Sequence, residues 1–101
     1  MNLVVISGRI GNIQMVSQRE DGASLVDGYL CKPYTIDGVE INRKYFFSVS
    51  GKKATEIYNE YKKDDNVVIS GKLVSKMDEN GIIWMLIVIS SIARLENDEM
   101  F

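Results

Sequence analysis

Rings and cations interleave in four short stretches of this chain: Tyr29, Lys32 and Tyr34; Arg43, Lys44 and Phe46; Lys72 and Lys76; and Trp84. An aromatic ring offers a π-face to another flat ring, and an ammonium or guanidinium group offers charge to a phosphate. A nucleotide with an unstacked base presents both partners at once. Such contact requires no proton transfer, and the remaining composition agrees with a binding role. The chain has no histidine, which removes the commonest general base, the Ser-His nucleophile pairs and histidine metal sites. Its carboxylates fall mostly in expected turns and on a helix surface, without a pairing suited to acid–base work. Gly51-Lys52 is a poor phosphate-binding loop, because the first glycine of that motif falls on Phe46 and Lys53 replaces the magnesium-binding hydroxyl. No enzyme, metal or cofactor is expected.

Charge gives this binding chemistry only weak support. Fourteen acidic side chains oppose twelve basic ones, for a net charge of −2. Glu96, Asp98 and Glu99 lie in the last six residues. Without them eleven acids face twelve bases, so residues 1–95 carry a net +1. A local basic stripe is compatible with that balance; a strong overall field is not.

The elements that must position these groups follow from periodicity. Leu3 to Ile10 reads as a strand with Gly8 as a bend, and Gly11 to Ser24 reads as a long polar loop containing Asp21-Gly22. Leu25 to Lys32 is a second strand, interrupted by Gly28 and ended by Pro33. After an Asp37-Gly38 turn signal, Glu40 to Ser50 alternates as a third strand. Lys52 to Lys63 changes to helical spacing, with Ala54, Ile57, Tyr58 and Tyr61 as one core-facing stripe. Val67 to Met77 and Ile82 to Leu95 are the last two strands, joined through Asn80-Gly81. The order predicts an all-β protein: a five-stranded OB-fold barrel with one α-helix between strands three and four. One domain over 1–95 and a short acidic C-terminal tip over 96–101 are expected.

Strand alternation then selects the exposed groups. With Tyr45, Phe47 and Val49 inward, Lys44, Phe46, Ser48 and Ser50 point outward. With Ile69, Gly71 and Leu73 inward, Lys72 and Lys76 point outward, and Leu30 inward turns Tyr29 outward. The expected surface is Tyr29, Lys44, Phe46, Lys72 and Lys76, with Lys32, Tyr34 and Arg43 near the hairpin rim. Phe46 equally fits a subunit contact, and Tyr29 fits packing under the early loop. Trp84 reads first as structural and second as a stacking residue. Trp84 to Ile89 is apolar on both faces, which points to cover by a second subunit, a dimer or tetramer.

Several of these segments together resemble the bacterial single-stranded DNA-binding proteins. The opening Asn2-Leu3-Val4-Val5-Ile6-Ser7-Gly8-Arg9-Ile10-Gly11 is similar to that family's first strand. Val49-Ser50-Gly51-Lys52-Lys53-Ala54, with the helix ending Tyr61-Lys62-Lys63, is similar to its third-strand exit and helix. Val67-Val68-Ile69-Ser70-Gly71-Lys72-Leu73 is similar to its fourth strand, and Asn80-Gly81 with Trp84 to its last hairpin. The resemblance spans nearly the whole chain in the right order. Three of the family's customary aromatic positions instead hold Lys44, Ser50 and Met77-Asp78, and its long glycine-rich tail is absent.

The resemblance implies sequence-independent binding of single-stranded DNA in replication, recombination or repair, by a homo-oligomer. It also implies docking of replication or repair proteins on the C-terminal tip, at Asp98, Glu99, Met100 and Phe101. The alternatives are a primosomal or RNA-binding OB-fold accessory factor, and a protein-interaction OB module without nucleic-acid binding. The start of the chain shows no basic leader or cleavage site, and its longest apolar run is too short to span a membrane. With Cys31 as the lone cysteine, a cytoplasmic protein is expected.

Overall fold

The computed structural model describes residues 2–18 and 24–95. Among these residues the chain forms β1 (Val4–Gln18), β2 (Ser24–Ile36), β3 (Val39–Ser50), α1 (Lys52–Glu60), β4 (Asn66–Met77) and β5 (Ile83–Arg94). The strands close into a barrel in the order β1-β2-β3-β5-β4, and β4 returns to pair with β1. Five strands with a helix between the third and fourth make this an OB-fold barrel. No described helix is long and apolar enough to cross a membrane.

β1 is longer than its sequence suggests. The stretch expected to be a loop from Gly11 is strand through Gln18. Its polar residues Asn12 and Gln14 alternate with Ile13 and Met15, which pack against the core. A register shift between Ile10 and Asn12 bends the strand, so that Val4–Arg9 pairs with β4 and Arg9–Gln18 with β2. The Asp21-Gly22 turn lies outside the described residues.

β2 likewise does not stop at Pro33 but continues to Ile36. Its pairing with β1 ends at Cys31, so Pro33 lies where β2 has an open edge, a position a proline tolerates. β2 and β3 stay in register over twelve pairs, from Leu25↔Ser50 to Ile36↔Val39. The turn between them holds Asp37 and Gly38 at positive φ, as a two-residue hairpin turn requires. Closure rests on a short parallel contact of β3 with β5, at Phe47↔Ile87 and Ser48↔Val88.

Inward residues from every strand fill the barrel, among them Ile10, Leu30, Phe47, Ile69 and Ile89. α1 covers one end. A nine-residue helix is marginal alone and depends on packing, which Ala54 and Ile57 supply. Backbone N–H of Gly51 donates to the Ser24 carbonyl (2.9 Å), and Thr55 Oγ1 donates to Ser24 Oγ (2.9 Å), tying the helix start to β2. The helix ends at Glu60, three residues earlier than its periodicity predicts. Tyr61, in extended backbone beyond it, is buried as expected, whereas Tyr58 is 40% exposed rather than in the core. The buried helical stripe is only Ala54 and Ile57 wide, and Tyr58 falls outside it.

Gly28 sets how closely β1, β2 and β3 approach. A Cβ there would overlap the Asn12 carbonyl oxygen and lie 2.9 Å from Phe47 Cζ. Neither neighbour can yield without moving backbone or the central core ring. Gly28→Ala is therefore expected to destabilise the protein by about 1–3 kcal/mol. The check is urea unfolding, which should show a lower midpoint at unchanged slope.

Candidate nucleic-acid interface

The β2–β3 register sets Tyr29 opposite Phe46, and the β4–β5 register sets Lys76 opposite Trp84. Leu30 and Phe47 turn into the core, so Tyr29 and Phe46, one residue away on each strand, turn out. The contrast is sharp: Phe47 is 1% exposed and Phe46 is 42%. Phe46 meets Tyr29 edge to face at 5.9 Å between centroids and meets Trp84 in the same way at 6.0 Å. A row of three rings thus crosses β2, β3 and β5. Each edge-to-face pair contributes about 0.5–1.5 kcal/mol beyond burial, so the rings are held in place before any ligand arrives.

Two ammonium groups flank the row. Lys44 Nζ lies 4.7 Å from the centroid of the Tyr29 ring, and Lys76 lines the same groove as Trp84. That groove, of about 460 Å³, is also lined by Asn12, Gln14 and Asp27. Gln14 Nε2 donates to Asp27 Oδ1 at 2.9 Å, which engages part of the one acid among the lining residues. The floor under Tyr29 is Gly11: a Cβ there would come within 2.9 Å of Tyr29 Cδ1. Gly11, Asn12 and Gln14 were not among the expected site residues. Alternation of Asn12 and Gln14 with Ile13 and Met15 is the signal that places those two on the outer face, whereas Gly11 sits in the register shift between Ile10 and Asn12 and has no such signal.

The expected surface is not one patch. Lys72 shares the outward face of β4 with Lys76 but lies four residues away, roughly 13 Å along the strand, opposite Val88. Lys32, Tyr34 and Arg43 fall on the other face of the β2–β3 hairpin, because they alternate in step with inward Leu30 and Phe47. There Lys32 Nζ donates to Ser7 Oγ at 3.2 Å. Arg43 Cζ lies 4.8 Å from the Tyr34 ring centroid. Hydrogen bonding and charge attraction to Tyr34 raise the Arg43 pKa, with a smaller contribution from Tyr45.

Trp84 is 39% exposed and completes the ring row. Leu86, on the same side of β5, is covered within the single chain at 7% exposure. Cover by a second subunit is thus not needed at that position. Asp98, Glu99, Met100 and Phe101 lie outside the described residues.

Removing the central ring tests whether the row is pre-assembled. Phe46→Ala is expected to destabilise the protein by about 1–3 kcal/mol through its two edge contacts. It should also shift the emission of Trp84, the single tryptophan, toward longer wavelength. An unchanged spectrum would mean that the two rings do not meet in solution.

No protein-family model matches the chain, and no curated protein matches it.

Proposed function

We propose that this protein binds single-stranded DNA without reading its sequence, as a cytoplasmic factor in replication, recombination or repair. The row Tyr29–Phe46–Trp84 between Lys44 and Lys76 is the observation that carries this reading. Rings on a barrel wall can stack only on bases that are free of their neighbours, which excludes an intact duplex. Every base has a π-face, so such stacking tolerates any sequence, at about 1–3 kcal/mol per base. The lysines then meet the phosphates on either side of the stacked bases. The likeness of several segments to the single-stranded DNA-binding family supports the same conclusion.

Self-association belongs to this proposal. Its support is the exposure of Leu3 and Val5 at the start of the chain and of Val88 on β5, apolar groups that a second copy would cover. Sedimentation equilibrium at micromolar concentration is expected to show a species larger than 11.4 kDa. A single component of that mass would remove it.

Binding is tested by fluorescence-polarisation titration of labelled oligo-dT, oligo-rU and duplex DNA over a range of salt. Oligo-dT is expected to bind best and the duplex least. Preference for oligo-rU would favour an RNA-binding accessory factor, and binding to none of the three a protein-interaction module. Phe46→Ala should weaken oligo-dT binding by about 1–3 kcal/mol with an unchanged salt slope. Lys44→Ala or Lys76→Ala should lower the slope of log affinity against log salt by about 0.7, one single-strand phosphate contact.

A further inference from the structure

The β2–β3 hairpin projects beyond its neighbours. Its pairing with β1 ends at Arg9↔Cys31, and its pairing with β5 is confined to Phe47 and Ser48. From Lys32 to Arg43 the two strands pair only with each other, so the arm has two faces and two open edges. One face carries Lys44 and Phe46 of the ring row. The other carries Lys32 and Arg43, directly opposite each other in register, with Tyr34 next along β2 and Tyr45 next along β3 on the same side.

Arg43 is exposed, yet its guanidinium is not loose. It lies 4.8 Å from the Tyr34 ring centroid, and the cation–π attraction holds it there. A guanidinium is planar and carries its charge over that plane, so it stacks on a base as an aromatic ring does and adds charge as well. Lys32 offers an ammonium beside it, positioned by its hydrogen bond to Ser7 Oγ. Lys32 and Tyr34 share no groove with the ring row, whereas Arg43 borders, at the open edge of β3, a groove that Phe46 and Trp84 also line, so the edge joins the two faces.

We propose that Arg43, held on Tyr34, is a second stacking point for the same strand of DNA, with Lys32 meeting an adjacent phosphate. The inference rests on the single-strand reading above and extends it: the strand crosses the hairpin edge and is gripped on both faces. A strand long enough to pass around the arm engages both points, and one that fills only the ring groove engages one. Affinity then depends on length through residues on the far face alone.

The experiment titrates the full-length protein with oligo-dT of about 6 and about 20 nucleotides, one near the lower end of the span of an OB-fold and one beyond its upper end. Arg43→Gln is expected to weaken binding of the longer strand about tenfold, the scale of one lost base stack, and to leave the shorter unchanged. Arg43→Lys keeps the charge without the plane, so it should show the same loss on the longer strand at an unaltered salt slope. Arg43 is exposed, and matching thermal melts of both variants would establish that the fold is intact. Equal losses at both lengths, or none at either, would overturn the second site. Full affinity of Arg43→Lys would reduce Arg43 to a phosphate charge and overturn the stacking. Should the unmutated protein bind neither length, the single-strand reading fails, and this inference fails with it. If it binds both and Arg43→Gln changes nothing, the inference alone is overturned.

Discussion

Phe46 and Phe47 are adjacent in the chain and face opposite environments, and the rest of the architecture depends on which of them goes inside. Alternation along a strand allows only one to fill the barrel. A register slip of one residue between β2 and β3 would exchange the whole set, moving Tyr45, Phe47 and Val49 outward. Twelve consecutive pairs and a turn with two positive φ angles hold that register. Phe47, the largest fully buried side chain, also makes the slip costly, since removing a buried phenylalanine from contact costs about 3–5 kcal/mol. The outer ring row is thus a consequence of the core. Phe46 is placed by what Phe47 does.

The same constraint links the groove floor to barrel closure. Gly28 lets β1 lie close under Phe47, and Gly11, at the bend of β1, leaves room for the Tyr29 ring. Two positions without side chains therefore determine how near the first strand comes, one toward the core and one toward the groove. Trp84 enters the row because β5 meets β3 only beside Phe47, which carries the end of β5 toward Phe46. A ring row across three strands needs this closed geometry. A flat sheet with the same residues would not bring β5 alongside β3.

How much of this can be read from sequence depends on how local the cause is. Alternation around Leu30 and Phe47 is local, and it gives the outward direction of Tyr29, Lys44 and Phe46. The OB-fold order follows from five strand patterns and one change of period. β1 misleads because Asn12, Gln14, Ser17 and Gln18 make the stretch polar and two register shifts interrupt its alternation, and polarity reads as loop when the partner strand is unknown. Pro33 misleads because a proline ends a central strand but not an open edge. The contact of Trp84 with Phe46 has no local signal, since residues thirty-eight apart meet through a parallel pairing. The placement of Arg43 on the face opposite Phe46 is legible in the sequence, because a spacing of four residues from Phe47 puts it on the same side of the strand as Phe47. Nearness to the hairpin rim conceals that difference in face.

The charge balance bears on which forces can act in the groove. With a net charge of −2 and Asp27 at the groove wall, long-range attraction of a polyanion is weak. Two flanking lysines would release about 1.4 counterions' worth of salt dependence on a single strand, far less than a strongly basic protein. Most of the binding energy of any such strand must then come from the rings, which salt does not screen. This orders the roles of the residues. On the proposed reading the rings and the Arg43 plane would supply grip, while the lysines would locate the phosphate backbone. It also accounts for the pre-assembly of the row: where charge contributes little, a stack whose rings are already ordered loses less entropy on binding than one assembled around its ligand.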